Sequence, residues 1–584
     1  MKSHRSKAGT TVIDHILNRL NDLGVRHLFG VAGDYNLAVL DHVVAHPEVK
    51  WVGAASELGA AYAADGYGRI RGFGALLTTF GVGELSAINA VAGSYTERVP
   101  LLHIAVGPTQ ATERAGLTVH HSMGDGDFDR FLRAQRQVVC ADAVLRPDNA
   151  VMEIDRVLTA CLRESRPGYL RVPRDVALAA VPPRRPLAAP RQQTVDQGSL
   201  DAFRAAARAR LAAAKSVVVL ADFLVDRFHA RSELADLLRA GAFPHAVLAT
   251  GKTVVDESAP GFLGLYAGAM SEKHVRAAVD RADLLIRAGV LLADMTTGKF
   301  THRFDPEAGI DLGPRSAKVD GAVFPGIPLA TGLAVLTDLV RDLFPAHSGP
   351  AVAGHHRPEA PTRRVPARPA AVPRRTTPRR SRLHGSLRPL TQSYLWYAVG
   401  SAIRPDHTVV ADDGTSLLGI ADRRFPRGAR FVAQPMWASI GFSLPALLGA
   451  QLADPSRRGV LLIGDGAAQL TAQELGTISR YHLKPIVILV NNHGYTIERI
   501  THGLRAPYND VARWHWTKVP TALGVSHPLV LRARTRTALD RALARATATT
   551  DRLVLIEAFT SQYDVPPALK RLAVNRPDKA RWVA

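Results

Sequence analysis

Apolar residues open the chain at helical spacing. Val12, Ile13, Ile16, Leu17, Leu20 and Leu23 fall on one face, and Gly24 stands where a C-cap belongs. The run His27-Leu28-Phe29-Gly30-Val31 then predicts a short buried strand that ends in a Gly33-Asp34 turn. Apolar runs at 50–54, 75–79, 101–106 and 168–172 alternate with helical stretches, and a Pro-rich segment at 182–192 closes the block. A second series of strand-like runs occupies 216–220, 245–248 and 283–288, and a third includes 460–463 and 486–490 around a helix predicted near 468–480. Strands alternating with helices predict parallel α/β sheets. The fold class expected is α/β, with three Rossmann-like domains at 8–182, 197–345 and 389–570 and no residue-level repeat among them.

Composition narrows the class. At 584 residues, 47% apolar and 21% charged, the chain has room for three or four domains with large cores. It has no apolar run of the ~20 residues a membrane helix needs, and its basic N-terminus leads into an amphipathic helix without an apolar signal core. Cys140 and Cys161 are the only cysteines, so neither a disulfide framework nor a cysteine metal site is expected. These features predict a cytoplasmic protein with no membrane partner. The net charge of +21 invites a nucleic-acid reading, yet residues 351–390 hold ten Arg and one Glu. Much of the excess therefore sits in a basic, Pro/Arg-rich linker, 346–388, expected to be extended and disordered, and no specific nucleic-acid partner is expected.

One β-α-β unit carries the chemistry. Strand 460–463 runs into Gly464-Asp465-Gly466, and strand 486–490 delivers Asn491-Asn492-His493-Gly494. In a parallel sheet the C-terminal ends of neighbouring strands lie side by side. A carboxylate, an amide and backbone oxygens make a hard, oxygen-only half-shell suited to Mg2+ carrying a diphosphate, and the glycines and helix N-terminus favour phosphate. Gly-Asp-Gly alone would be an ordinary α/β turn; the Asn pair at this spacing turns the balance. A second feature is Glu57, a lone carboxylate among small apolar residues, costly to bury unless it has a partner. By itself it reads as a helix N-terminal acid complementing the dipole.

The pattern resembles the diphosphate-binding motif of thiamine diphosphate (ThDP) enzymes, and the chain as a whole is most similar to the 2-oxo acid decarboxylases: pyruvate, indolepyruvate and phenylpyruvate decarboxylases. The segments that carry the resemblance are 29–37, 78–87, 119–126, 411–416, 437–441 and 491–498, and it spans nearly everything but the linker. It implies pyrimidine-binding, middle and diphosphate-binding domains, with ThDP bound between two subunits. A homodimer would be the minimal active unit, with homotetramers usual. Matching by position, the resemblance implies Mg2+ on Asp465, Asn492 and the Gly494 carbonyl. Thr415, Gly466, Ala467 and Tyr495 would line the cofactor, Ile440 would bend it, Glu57 would bond its aminopyrimidine, and Ala438 would offer a backbone carbonyl where many relatives carry Gly. Asp34, His120, His121 and Glu498 would form the acid–base set that supplies and removes protons around the loss of CO2.

For the substrate, the resemblance points to indolepyruvate, phenylpyruvate or branched-chain acids over pyruvate. Ile497 lines the expected pocket, Thr501 stands where pyruvate enzymes place a bulky Ile, and Met295 replaces an aromatic with a yielding side chain. Asp413, where relatives commonly carry Thr or Gln, pulls the other way, since a carboxylate repels an anionic substrate. The middle domain lacks the cysteine on which yeast-type substrate activation depends, so hyperbolic kinetics are expected. A carboligating enzyme of the acetohydroxyacid synthase type and a catalytically silent homologue are the alternatives; the first is disfavoured by the His120-His121 pair, the second because every expected ionisable group is present.

Overall fold

The computed structural model describes residues 10–182, 195–344 and 388–575, so the expected linker falls almost wholly outside the described residues. Three sheets organise them. The first contains β1 (His27–Gly30), β2 (Lys50–Gly53), β3 (Gly74–Thr79), β4 (Leu101–Gly107), β5 (Ala141–Val144) and β6 (Gly168–Pro173) in the order β2-β1-β3-β4-β6-β5. Its strand pairs are all parallel, as the buried apolar runs predicted.

The middle sheet is built from β7 (Val217–Ala221), β8 (His245–Val247), β9 (Phe262–Leu265), β10 (Leu284–Ala288), β11 (Ile310–Leu312), β12 (Ser316–Val319) and β13 (Ala322–Pro325). Five of its strands pair in parallel, but along one edge β12 runs reversed and pairs antiparallel with both β11 and β13. This edge has no periodic signal of its own, because its strands are three or four residues long and joined by tight turns at Gly313 and Gly321.

The third sheet takes β14 (His407–Ala411), β15 (Arg430–Val432), β16 (Arg458–Gly464), β17 (Ile486–Asn491), β18 (Leu529–Ala533) and β19 (Val554–Phe559) in the order β15-β14-β16-β17-β19-β18. Counted from its own first strand, this is the topology of the first sheet. The architectural repeat exists without a sequence repeat.

The first and third units share one core. Helix Glu57–Arg71 lies against helix Ser443–Ala453, and the apolar residues between them join a single cluster from Val12 to Leu555. Their contact is close because it is lined by Gly and Ala: a Cβ on Gly66 would stand 2.2 Å from the Ala446 carbonyl oxygen. The middle unit packs its own core between helices Gln197–Ala213, Arg231–Gly241 and Leu329–Leu343. No described helix is long and apolar enough to cross a membrane.

Candidate functional site

Strands β16 and β17 run parallel with Gly464 beside Val490, so their ends bring Asp465 and Asn492 together. Side chains alternate along β17. Asn491 turns to the sheet and donates to Glu557 Oε1 at 2.8 Å, which leaves Asn492 to face Asp465. The Asn492 amide oxygen stands 3.1 Å from Asp465 Oδ1 and 2.9 Å from the Gly494 carbonyl oxygen, while its nitrogen donates to Thr496 Oγ1 at 2.9 Å. Three oxygens thus converge with no proton among them. Turning the amide over would let it donate to both neighbours; a hard cation at the centre is satisfied by the oxygens as they stand. Burial pushes the Asp465 carboxyl up to about 6, a penalty that a bound cation removes. The residues fit the metal.

Backbone geometry shapes this cradle. Gly494 has φ +130°, and a Cβ there would meet the Asn509 carbonyl oxygen at 2.1 Å. On Gly466 a Cβ would stand 2.5 Å from the Tyr495 ring. The helix expected over 468–480 is two helices, Asp465–Thr471 and Glu474–Arg480. The break at 472–473 lets the buried Glu474 accept from Ala55 N, 3.1 Å away in the first unit.

Beside the cradle lies a cavity of about 260 Å3. Its walls include Thr415, Ile440, Asp465, Gly466, Ala467, Asn492, Gly494 and Tyr495 from the expected cofactor set, and Met295, Asp413, Ile497, Glu498 and Thr501 from the expected substrate set. Ile440 is held there from behind. The buried Asp412 carboxylate accepts from Gly441 N at 3.1 Å, Ser443 N at 3.1 Å and Ser443 Oγ at 2.6 Å. The same turn is braced from the first unit: Glu97 accepts from Met436 N at 2.7 Å, Asn89 accepts from Trp437 Nε1 at 2.9 Å, and Tyr62 shares a 2.6 Å bond with Ser439. Ala438, not itself among the wall residues, sits in this turn at φ +56°, a conformation that glycine adopts without strain.

Asp34, Glu57, His120 and His121 do not reach this cavity within one chain. They gather instead at the C-terminal end of β3. His120 Nε2 lies 2.7 Å from Asp34 Oδ2, and the Tyr35 ring stacks on His120 at 4.8 Å. His121 sits at φ +62°, its carbonyl oxygen 1.9 Å from where a Cβ on Gly81 would be, so only glycine fits beneath it. Glu57 begins its helix after the Ser56 cap, and its Oε1 lies against Gly83. The Thr79 side chain stands between Gly33 and Gly83 and thus ties the Asp34 turn to Glu57.

Sequence reading missed several wall residues. Asp294 and Lys299 come from the middle unit, and Leu569 and Leu572 from the C-terminal helix Pro567–Asn575. That helix is pinned by Arg571, which donates to the Met270 carbonyl at 2.6 Å and pairs with Asp422. Tyr35 and Asp412 adjoin residues that were singled out, so proximity could have flagged them; the leucines carry no local signal.

Residues 10–129 match the family "Thiamine pyrophosphate enzyme, N-terminal TPP binding domain", 204–338 the central domain and 413–558 the C-terminal TPP binding domain. The alpha-keto-acid decarboxylase of Mycobacterium tuberculosis (strain H37Rv) is 48% identical over 564 residues, 96% of each chain. That of Mycobacterium ulcerans is 48% identical over 96% of this chain and 95% of its own, and that of Mycobacterium avium 47% over 96% of both. With all three domains matched and identity sustained end to end, the chain belongs to the thiamine diphosphate-dependent 2-oxo acid decarboxylase family.

Proposed function

We propose that the chain decarboxylates a 2-oxo acid without oxidation, releasing an aldehyde and CO2, with ThDP anchored through Mg2+ on Asp465, Asn492 and the Gly494 carbonyl. The three-oxygen cradle carries this reading, because it suits a hard cation bearing a diphosphate. When bound, the cofactor supplies the electron sink for breaking the carbon–carbon bond. The chain's own residues do the rest. Ile440 shapes the wall against which the cofactor lies, held by Asp412. Glu57 would hold the cofactor's pyrimidine by a hydrogen bond and carry the proton that group needs. Asp34, His120, His121 and Glu498 would deliver and remove protons at the substrate's former carbonyl oxygen and at the carbon that loses CO2, the 2.7 Å Asp34–His120 bond fixing the imidazole's orientation.

This division requires two copies. Glu57, Asp34, His120 and His121 of one copy would complete the cavity of a second, making a homodimer the smallest active unit and a homotetramer its natural extension. Exposed apolar side chains beside both halves support the pairing: Val82, which precedes the Gly83 that Glu57 lies against, and Leu470 beside the Ile440 turn. The three domains are 8–182, 197–345 and 389–570, the last extended by the Pro567–Asn575 helix. The substrate is an aromatic or branched 2-oxo acid, since Thr501 and Met295 both line the cavity and leave width beside Ile497. The setting is the cytoplasm, where Cys140 and Cys161 stay as thiols.

Aldehyde release from pyruvate, 2-oxoisovalerate, phenylpyruvate and indolepyruvate, with ThDP and Mg2+ present, tests the proposal. Aldehyde from the larger acids with a hyperbolic rate curve is expected. A protein that binds ThDP yet releases no aldehyde from any of them would overturn it.

A further inference from the structure

Asp413 is an acid in the wall of a cavity meant for an anionic substrate. It follows β14 and stands half-buried in the wall; its Oδ1 is shut off from solvent and has no hydrogen-bond partner. The charged groups around it are mostly acids. Asp412 precedes it on the same loop, Glu498 faces it from helix Thr496–Thr501, and Glu97 acts from the end of helix Val82–Thr96. Asp294 and Asp465 line the same cavity, and Lys299 is the only Lys or Arg among its wall residues. An ionised Asp413 would be a desolvated charge among like charges, facing a substrate of the same sign.

Burial, then Asp412, push its carboxyl up to about 7, while the Gly414 backbone N–H pulls the other way. A neutral carboxylic acid removes the repulsion and turns the unpartnered group into a donor.

We infer that Asp413 is a substrate-recognition residue that, as the neutral acid, donates a hydrogen bond to the carboxylate of the 2-oxo acid. This rests on the proposed decarboxylase reading and sharpens it. Recognition of the substrate's carboxylate is then gated by one proton held on the wall. Below pH about 7 the donor is present; above it, each pH unit removes about tenfold of the donor population, and carboxylate affinity falls with it.

Binding of 3-phenylpropanoate, a carboxylate with no 2-oxo group to react, and of its uncharged amide, is measured by titration on the ThDP- and Mg2+-loaded protein across this range. The carboxylate should weaken about tenfold per pH unit on the alkaline side while the amide stays level. Asp413→Asn keeps a donor at every pH and should abolish the slope for the carboxylate. Equal slopes in wild type and Asp413→Asn, or a wild type whose carboxylate and amide affinities run parallel, would overturn the inference. The acid-against-amide comparison needs no variant, so it decides even if Asp413→Asn does not fold. The titration is read without turnover. A preparation that makes no aldehyde therefore counts against the decarboxylase reading, while the slopes still judge Asp413.

Discussion

Gly449 packs on Ala63 so tightly that a Cβ on the glycine would stand 1.8 Å from the Ala63 carbonyl oxygen. The contact joins the helix that begins with Glu57 to the helix that follows the Ile440 turn, and so ties the two ThDP-binding halves of one chain together. Gly449→Ala must force these helices apart or unfold one of them. Overpacking of this kind costs about 1–3 kcal/mol, and denaturant unfolding should show it as an earlier transition. A variant as stable as wild type would mean that the helices are not in contact.

Replacing Glu57 with Gln keeps shape and hydrogen bonding but removes the ionisable group. Aldehyde formation should fall by about two to four orders of magnitude, the usual worth of a general acid–base group. Near-ultraviolet circular dichroism of the added cofactor should still report binding. Full activity in Glu57→Gln would remove the residue from the chemistry.

Chelation tests the cradle. Stripping divalent metal should abolish ThDP binding, and Mg2+ should restore it, if the cradle holds the diphosphate through the ion as proposed. Asp465→Ala should bind ThDP weakly at every Mg2+ concentration. Tight, metal-independent binding by this variant would place the diphosphate elsewhere.

Ala438 holds a left-handed backbone at φ +56°. Such a conformation costs an L-residue about 1–2 kcal/mol relative to glycine's ease there, so Ala438→Gly should raise the unfolding temperature of this part of the protein. ThDP affinity should not change, since the contact expected of this position is made by main chain. A lower transition would show that the alanine methyl contributes packing.

Asp222, at the end of β7, is fully buried, accepting from Thr250 Oγ1 and, at 3.2 Å, from Leu291 N. Burial raises its carboxyl from 3.8 to about 7. The folded state therefore holds a proton that the unfolded chain has lost between those values, and stability falls as pH rises through that window. The slope from this one group is on the order of 1 kcal/mol per pH unit. Asp222→Asn removes it, so the variant should gain on wild type from pH 4 to pH 7 in matched denaturation curves. Parallel curves would refute the shift.

Much of the metal cradle was legible in sequence because it is local. Strand 460–463, the Gly-Asp-Gly turn and the Asn pair form one β-α-β unit, and parallel pairing leaves Asp465 and Asn492 little choice but to meet. The apolar strand runs likewise announced parallel sheets, since continuous burial is a property of short segments. The Glu57 group was legible only through resemblance; nothing in the spacing of Asp34, Glu57 and His120-His121 says that they gather past the end of β3.

Tertiary structure alone decided the rest. It separated the Glu57 group from the cavity within one chain, made Asp412 the brace of the Ile440 turn, split the helix after Asp465 and laid Leu569 and Leu572 over the cavity. It also gave the first and third sheets one topology despite their unlike sequences. The physical reason is common to all of these. Periodicity records which face of a segment is buried, and a turn motif records its own backbone. Which distant segment covers that face depends on the fit of volumes, such as a glycine against a carbonyl, and no single stretch of chain encodes it.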